Sequence, residues 1–189
     1  MNAKKRVILI TDGDESAKTA VKIAAEQLNC SVITESGGNP TRMTGDQILH
    51  LILIAEKDPV LVMFDDCGHA EVGPGESAMK IVATSTDIDV LGAVAVASQS
   101  FSHEWTKVDI SINRNGELTE YGVDKDGIVD MEIGRIRGDT VYSLDELSLP
   151  LVVGVGDIGK MGGHDVMERG APITKQAIEL IIERSANDG

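Results

Sequence analysis

Short runs of consecutive apolar residues alternate with segments in which apolar residues recur at the 3.6-residue spacing of a helix. The continuous runs are typical of strands buried on both faces, and the spaced pattern is typical of amphipathic helices. Strands are predicted at about 6–11, 31–35, 60–64, 91–97 and 151–155, and helices at about 17–28, 45–55, 78–83 and 172–184. This alternation predicts an α/β fold: a mainly parallel, Rossmann-like or Toprim-like sheet with helices on both faces.

The pattern changes between about residues 107 and 142, where short β-rich segments are separated by turn sequences. The turns at 113–116 and 124–127 consist mainly of Asn, Asp and Gly, which tolerate the positive φ of tight hairpins. An antiparallel β-meander is therefore predicted, with strands at 107–112, 117–123 and 128–133 and a further short strand at 140–142. We expect one α/β domain, 1–189, with the meander as an excursion from it.

The charge of the chain narrows the classes of partner. Its 31 acidic and 17 basic residues give a formal net charge of −14, which repels a phosphate backbone, so we expect no nucleic-acid partner. No stretch approaches the roughly 20 apolar residues of a transmembrane segment, and the first residues lack a signal-peptide pattern. These features predict a soluble, intracellular protein.

Acidic residues follow three of the predicted strands. Asp12 and Asp14 come after the first strand, Asp65 and Asp66 after the third, and Asp157 after the last. The carboxyl ends of parallel strands share one edge of the sheet, so these side chains are candidate ligands for a cation such as Ca²⁺ or Mg²⁺. Because successive side chains of a strand alternate, only one of the adjacent pair is expected to join the others. The competing interpretation is that Asp14 caps the following helix.

The segment after the last strand is rich in glycine and contains a cation among acids. Backbone N–H groups of Gly156, Gly159 and Gly162 are candidate contacts for an anion, and Lys160 and Arg169 are candidate sources of positive charge. The spacing is not that of a phosphate-binding loop, so a purely structural loop is the alternative. No segment forms a nucleophile elbow or another complete catalytic motif, and no catalytic residue is assigned.

Eight segments of the chain together resemble the stage V sporulation protein AE family. They are VILITDGDESA, SGGNPT, DPVLVMFDD, GPGES, IDVLGAVAVAS, LTEYGVDKDG, VVGVGDIGKMGG and ERGAPITKQAIELI. The resemblance covers nearly the whole chain. It implies membership in the SpoVA system, which moves dipicolinic acid, largely as its calcium chelate, into the developing spore and releases it in germination. It also implies other SpoVA proteins at the spore inner membrane as partners, with this chain soluble or peripheral there.

Three hypotheses follow from the residues and the resemblance together. The favoured one is a soluble, non-enzymatic accessory component of dipicolinate movement. The second is a Mg²⁺-dependent phosphohydrolase or nucleotidyl enzyme that uses the strand-end Asp residues. The third is a sensor in which the acidic edge binds Ca²⁺ and the loop 156–163 receives a carboxylate of dipicolinate, with either calcium bridging or Lys160 and Arg169 compensating its charge.

Overall fold

The computed structural model describes residues 3–67, 72–98, 105–138 and 140–187. The strands are β1 (Lys5–Ile10), β2 (Ser31–Ile33), β3 (Val60–Met63), β4 (Ile88–Val96), β5 (Thr106–Lys107), β6 (Ile110–Ile112), β7 (Leu118–Thr119), β8 (Tyr121–Val123), β9 (Val129–Ile133), β10 (Arg135–Ile136) and β11 (Val152–Val155). The helices are α1 (Glu15–Leu28), α2 (Gly45–Ile54), α3 (Pro74–Thr84) and α4 (Pro172–Asn187).

The central sheet has seven strands in the order β2-β3-β1-β4-β11-β6-β7. All neighbours pair in parallel except β7, which pairs antiparallel with β6, so the predicted mainly parallel α/β sheet is confirmed. The chain leaves β1 towards the β3 and β2 side, and it leaves β4 towards the β11 side. The loops after β1 and β4 therefore diverge, which opens a crevice at the carboxyl edge of the sheet.

Helices cover both faces of this sheet, and the strand residues alternate between them. Ile8 and Ile10 of β1 point towards α1 and α4, whereas Val7 and Leu9 point towards α2 and α3. All four side chains are fully buried. The continuous apolar run of β1 thus contributes to two cores at once, as expected of a central parallel strand.

Two helix starts lie where the sequence predicts them. The Thr44 hydroxyl accepts the N–H of Gln47, and the Gln47 side chain accepts the N–H of Thr44, which completes a capping box for α2. Pro172 is the first residue of α4, where its missing N–H has no intrahelical partner to lose.

The segment from 105 to 138 forms more and shorter strands than the predicted meander. Val108 donates its N–H to Gly134, but the next residue, Asp109, donates to Val152, so the strand predicted at 107–112 separates into β5 and β6. The segment 117–123 likewise separates into β7 and β8. Strand β6 joins the central sheet, while β8–β9 and β5–β10 form separate antiparallel pairs.

The strand predicted at 140–142 is wrong. Residues Tyr142–Glu146 instead form a 3₁₀ turn, in which the Val141 carbonyl accepts the N–H of Leu144. The Thr140 hydroxyl accepts the N–H of Asp66, which ties this segment to the end of β3 through a side chain rather than a ladder. The conformation of this segment is thus set by buried polar contacts with residues elsewhere in the chain. These contacts outweigh the β propensity of its own residues.

Candidate functional site

A cleft of about 250 Å³ lies at the carboxyl edge of the sheet, where the loops after β1 and β4 diverge. Loops after β1, β3, β4 and β11 contribute to its wall, together with the turn between β8 and β9. Its ionisable lining residues are Asp12, Asp14, Asp65, Asp157, Lys125 and Lys160. The position agrees with the general location of ligand sites in open α/β sheets.

Three of the predicted ligand residues converge in this cleft. Carboxylate oxygens of Asp12, Asp14 and Asp157 lie within 4.8 Å of one another. Asp12 is oriented by the N–H of Gly13, which donates to its Oδ1 at 2.7 Å. Gly13 is packed so closely that a Cβ there would lie 2.6 Å from the Gly38 carbonyl oxygen. The tight turn after β1 therefore fixes the first acid of the cluster.

Lys160 provides positive charge between two of these acids. Its Nζ lies 2.5 Å from Oδ2 of Asp14 and 3.3 Å from Oδ2 of Asp157. Burial disfavours the charged ammonium, but the hydrogen bond to Asp14 and the charge of Asp157 outweigh it and raise the pKa of Lys160. The lysine is therefore protonated at neutral pH and acts as an internal counter-cation.

The three acids differ in their protonation behaviour. Burial raises the pKa of Asp12 well above its ordinary value, and the neighbouring charge of Asp14 adds to the rise. Burial also raises the pKa of Asp157, against the lowering effect of Lys160. At Asp14, burial is outweighed by hydrogen bonds from Lys160 and the Ala17 N–H, which lower its pKa. The cluster thus contains one stabilised carboxylate and two acids whose ionisation a bound cation would favour.

The adjacent acids after β3 point in different directions, as the alternation of strand side chains predicts. Asp65 lines the cleft, and its Oδ1 accepts the N–H of Cys67 at 2.8 Å. The Asp66 carboxylate instead accepts the N–H of Gly75 at 2.7 Å and that of Glu76 at 3.2 Å. Asp66 therefore satisfies the first N–H groups of α3 and does not line the cleft.

The glycine-rich loop after β11 surrounds an anion that belongs to the chain itself. The fully buried carboxylate of Asp165 accepts the N–H groups of Gly159, Ile173 and Thr174 and the hydroxyl of Thr174. These donors belong to the start of α4 and to the loop, so the Asp165 carboxylate joins the two. The N–H predicted to face an external anion at Gly159 is thus directed at Asp165.

The remaining predicted anion contacts have different surroundings. A Cβ at Gly156 would lie 2.7 Å from the backbone N of Gly127, so this glycine allows the turn between β8 and β9 to pack on the loop. Gly162 adopts a positive φ of 59°. Arg169 donates to the carbonyl of Gly163 at 3.5 Å. Of the five candidates, Lys160 is the one that lines the cleft.

A second cavity of about 400 Å³ adjoins the acidic cleft, and both are lined by Ser98 and Lys125. Its distinctive feature is Arg137, whose guanidinium carbon lies 3.9 Å from the ring centroid of Trp105. The sequence interpretation did not include either residue. The available signal was composition, since Trp105 is the single Trp of a chain with 3% aromatic residues.

A family model described as Stage V sporulation protein AE1 matches residues 6–185. The chain belongs to this family. It is therefore a sporulation-related component of the SpoVA system. Comparison with curated proteins and with solved structures found no match. Among the residues that the structure describes, none of the helices is both long enough and apolar enough to cross a membrane.

Both cavities of this SpoVA component contain acids, since Asp124, Asp126 and Asp130 line the larger one, but the two differ in their other groups. The acidic cleft presents carboxylate oxygens, the ligands that Ca²⁺ and Mg²⁺ prefer. The adjoining cavity presents a flat aromatic face with a guanidinium stacked on it, and Lys125 stands at the boundary. Guanidinium groups bind carboxylates through paired N–H donors, and aromatic faces stack on planar groups. A planar carboxylate bound to a cation would match both cavities together.

Proposed function

We propose that this protein is an accessory component of the SpoVA system that contacts calcium dipicolinate while the chelate moves into or out of the spore, without catalysing a reaction. Membership in the family supports the process. The observation that carries the ligand assignment is the juxtaposition of an acidic cleft with a cavity containing stacked Trp105 and Arg137.

The charges explain why a cation is part of this proposal. Dipicolinate carries two carboxylates, and a chain with a net charge of −14 repels such an anion. A Ca²⁺ ion held by Asp12, Asp14 and Asp157 would reverse the local field and accept the ligand's carboxylates as further oxygen ligands. The planar ring would then occupy the adjoining cavity, which Trp105 and Arg137 line, and Arg137 would donate to a carboxylate.

Calorimetry of the purified protein tests the ligand. We expect the premixed calcium chelate to bind more tightly than Ca²⁺ alone, and dipicolinate alone to bind least. The Asp12→Asn plus Asp157→Asn variant removes two ligands while keeping side-chain size, and it should abolish the heat of binding. The matched control is Asp87→Asn plus Asp89→Asn, two exposed acids near the amino end of β4, which changes the net charge equally. Equal binding by both variants would contradict the assignment of the site.

Association with other SpoVA proteins at the spore inner membrane is the second part of the proposal. We expect the wild-type chain in the membrane fraction of sporulating cells, and its loss from that fraction when the other SpoVA proteins are deleted. Retention in the deletion strain at the wild-type level would refute association through those proteins.

A Mg²⁺-dependent phosphohydrolase or nucleotidyl enzyme is the alternative function. The observation that favours it is the opposite perturbation of two neighbouring carboxyl groups, since the pKa of Asp12 is raised by burial and that of Asp14 is lowered by Lys160 against the effect of burial. Hydrolysis of p-nitrophenyl phosphate and of nucleoside triphosphates with Mg²⁺ measures this activity. Wild-type turnover that is lost in Asp12→Asn would support the enzymatic function. Wild-type rates equal to the buffer background would refute it.

A further inference from the structure

The hairpin formed by β8 and β9 exposes an unusual concentration of apolar side chains. Of the eleven large hydrophobic residues exposed in the described part of the chain, four lie between residues 128 and 133. They are Ile128, Val129, Met131 and Ile133, with Met131 85% exposed and Ile133 63% exposed. Single exposed apolar residues are ordinary on protein surfaces, but a contiguous group is typical of an interaction site.

The pairing of β8 with β9 is irregular in the segment that carries these exposed side chains. Tyr121 pairs with Ile133 and Val123 pairs with Val129, so two residue steps on β8 match four on β9. The extra residues form an irregularity, in which the Asp130 side chain accepts the N–H of Glu132 at 3.0 Å. Such a bulge disrupts the hydrogen-bonding edge of a strand. A partner is therefore expected to contact the apolar side chains rather than to extend the sheet.

The charges around the hairpin select the kind of partner. Residues 117–135 contain six acidic and two basic residues, a difference of −4. The acidic residues are Glu117, Glu120, Asp124, Asp126, Asp130 and Glu132, and the basic ones are Lys125 and Arg135. A second copy would bring the same acidic rim against this one, and an anionic lipid surface would also be repelled. A complementary surface carries Lys and Arg around an apolar pocket.

We propose that the β8–β9 hairpin docks into an apolar pocket rimmed by Lys and Arg on a partner protein, with Met131 and Ile133 as the anchors. Methionine suits this position because its unbranched side chain adapts to irregular pockets. The acidic rim steers association and excludes partners of like charge. That the partner is another protein of the SpoVA system rests on the proposed function.

Binding to lipid nanodiscs tests the proposal with the full chain. The probes are nanodiscs that contain the other SpoVA membrane proteins and empty nanodiscs of the same lipid composition. The hairpin variant is Met131→Glu plus Ile133→Glu, and its matched control is Leu53→Glu plus Ile54→Glu. The control changes two residues at the end of α2 that are also exposed, by 42% and 63%. Because all four side chains are exposed, the thermal unfolding of both variants is expected to match that of the wild type.

We expect the wild type and the α2 control to bind the protein-containing nanodiscs equally, with affinity that falls as salt rises. The hairpin variant should bind at least about tenfold more weakly, as expected when two anchors are lost. Equal binding by the hairpin variant would overturn the proposal. Wild-type binding to empty nanodiscs, which would identify lipid as the occupant, would also overturn it, as would self-association of the wild type that the hairpin variant abolishes.

Calorimetry with the premixed calcium chelate separates this proposal from the ligand assignment. The hairpin variant is expected to bind the chelate with wild-type affinity, because Met131 and Ile133 line neither the acidic cleft nor the adjoining cavity. If the hairpin variant binds both the chelate and the nanodiscs like the wild type, the docking proposal is refuted and the ligand assignment is supported. Lost nanodisc binding in this variant, while the wild type binds nanodiscs but no chelate, would support docking and refute the ligand assignment.

Discussion

Replacement of Asp165 by alanine is the most direct test of how the cleft is built. The carboxylate is fully buried and accepts four hydrogen bonds, two of them from the first N–H groups of α4. It joins that helix to the loop that carries Asp157 and Lys160 into the cleft. Asp165→Ala should therefore lower stability and disturb the acidic cleft together.

The size of the effect follows from the donors left behind. Asp165→Ala leaves three backbone N–H groups and one hydroxyl without their acceptor in a buried position. A buried donor without a partner costs about 1–3 kcal/mol, and such costs are not additive within one network. We expect a loss of about 3–5 kcal/mol in the free energy of unfolding. For a chain of this size, that corresponds to a decrease in Tm of roughly 10 °C.

Urea denaturation followed by far-UV circular dichroism and by the fluorescence of the single Trp measures this loss. Thr44→Ala is the matched control, because Thr44 also caps a helix but is exposed, and its replacement should cost about 1 kcal/mol. Coincident transitions with the two probes would support two-state analysis. If Asp165→Ala cost no more than Thr44→Ala, burial would not be the source of the energy and the argument would fail.

Three further predictions concern the cleft. Burial raises the folded-state pKa of Asp12, so Asp12→Asn should stabilise the protein in urea titrations, with a gain that begins as pH rises above the ordinary pKa of an Asp carboxyl, is complete above the folded-state pKa and is absent at still lower pH. Lys160 lowers the pKa of Asp14 despite burial, so Asp14→Asn should destabilise the protein at neutral pH, with the loss vanishing as pH falls through its folded-state pKa. Stabilisation by both variants at neutral pH would refute the assignment at Asp14, and destabilisation by both would refute the assignment at Asp12. Lys160→Met should raise Ca²⁺ affinity in calorimetry by about tenfold, since it removes a positive charge from between two ligands, and an unchanged affinity would place the ion elsewhere. Gly156→Ala should lower the unfolding free energy by about 1–3 kcal/mol, because its Cβ would press on the backbone at Gly127; a wild-type urea midpoint would contradict this contact.

The placement of the strand-end acids follows from regularities that the sequence carries. Alternating apolar runs and amphipathic segments predict parallel strands, and parallel strands place their following residues at one edge. The alternation of side chains then separates Asp65, which lines the cleft, from Asp66, which accepts N–H groups of α3. These inferences need only local pattern and sheet geometry.

Contacts between distant loops could not be predicted in the same way. The partner of Asp14 is Lys160, which lies 146 residues later, and the pairing depends on the conformation of an irregular loop. The stacking of Arg137 on Trp105 likewise joins two positions outside any periodic pattern. The separation of β5 from β6 arises because successive N–H groups at Val108 and Asp109 find acceptors in different elements. Periodicity carries no signal for such pairings, and composition distinguishes Trp105 as the single Trp without indicating its partner.

The glycine-rich loop after β11 has the composition of an anion-binding loop, but the anion that it binds is part of the same chain. Glycines after a strand and before a helix are typical of loops whose N–H groups surround an anion, and here that anion is Asp165 of the same chain. Lys160 is also engaged, because it pairs with Asp14 and Asp157. With these donors already bonded, a free dianion gains little at the cleft and still meets the repulsion of its acids. A cation bound first reverses that balance, so we expect dipicolinate to bind measurably only when Ca²⁺ is present.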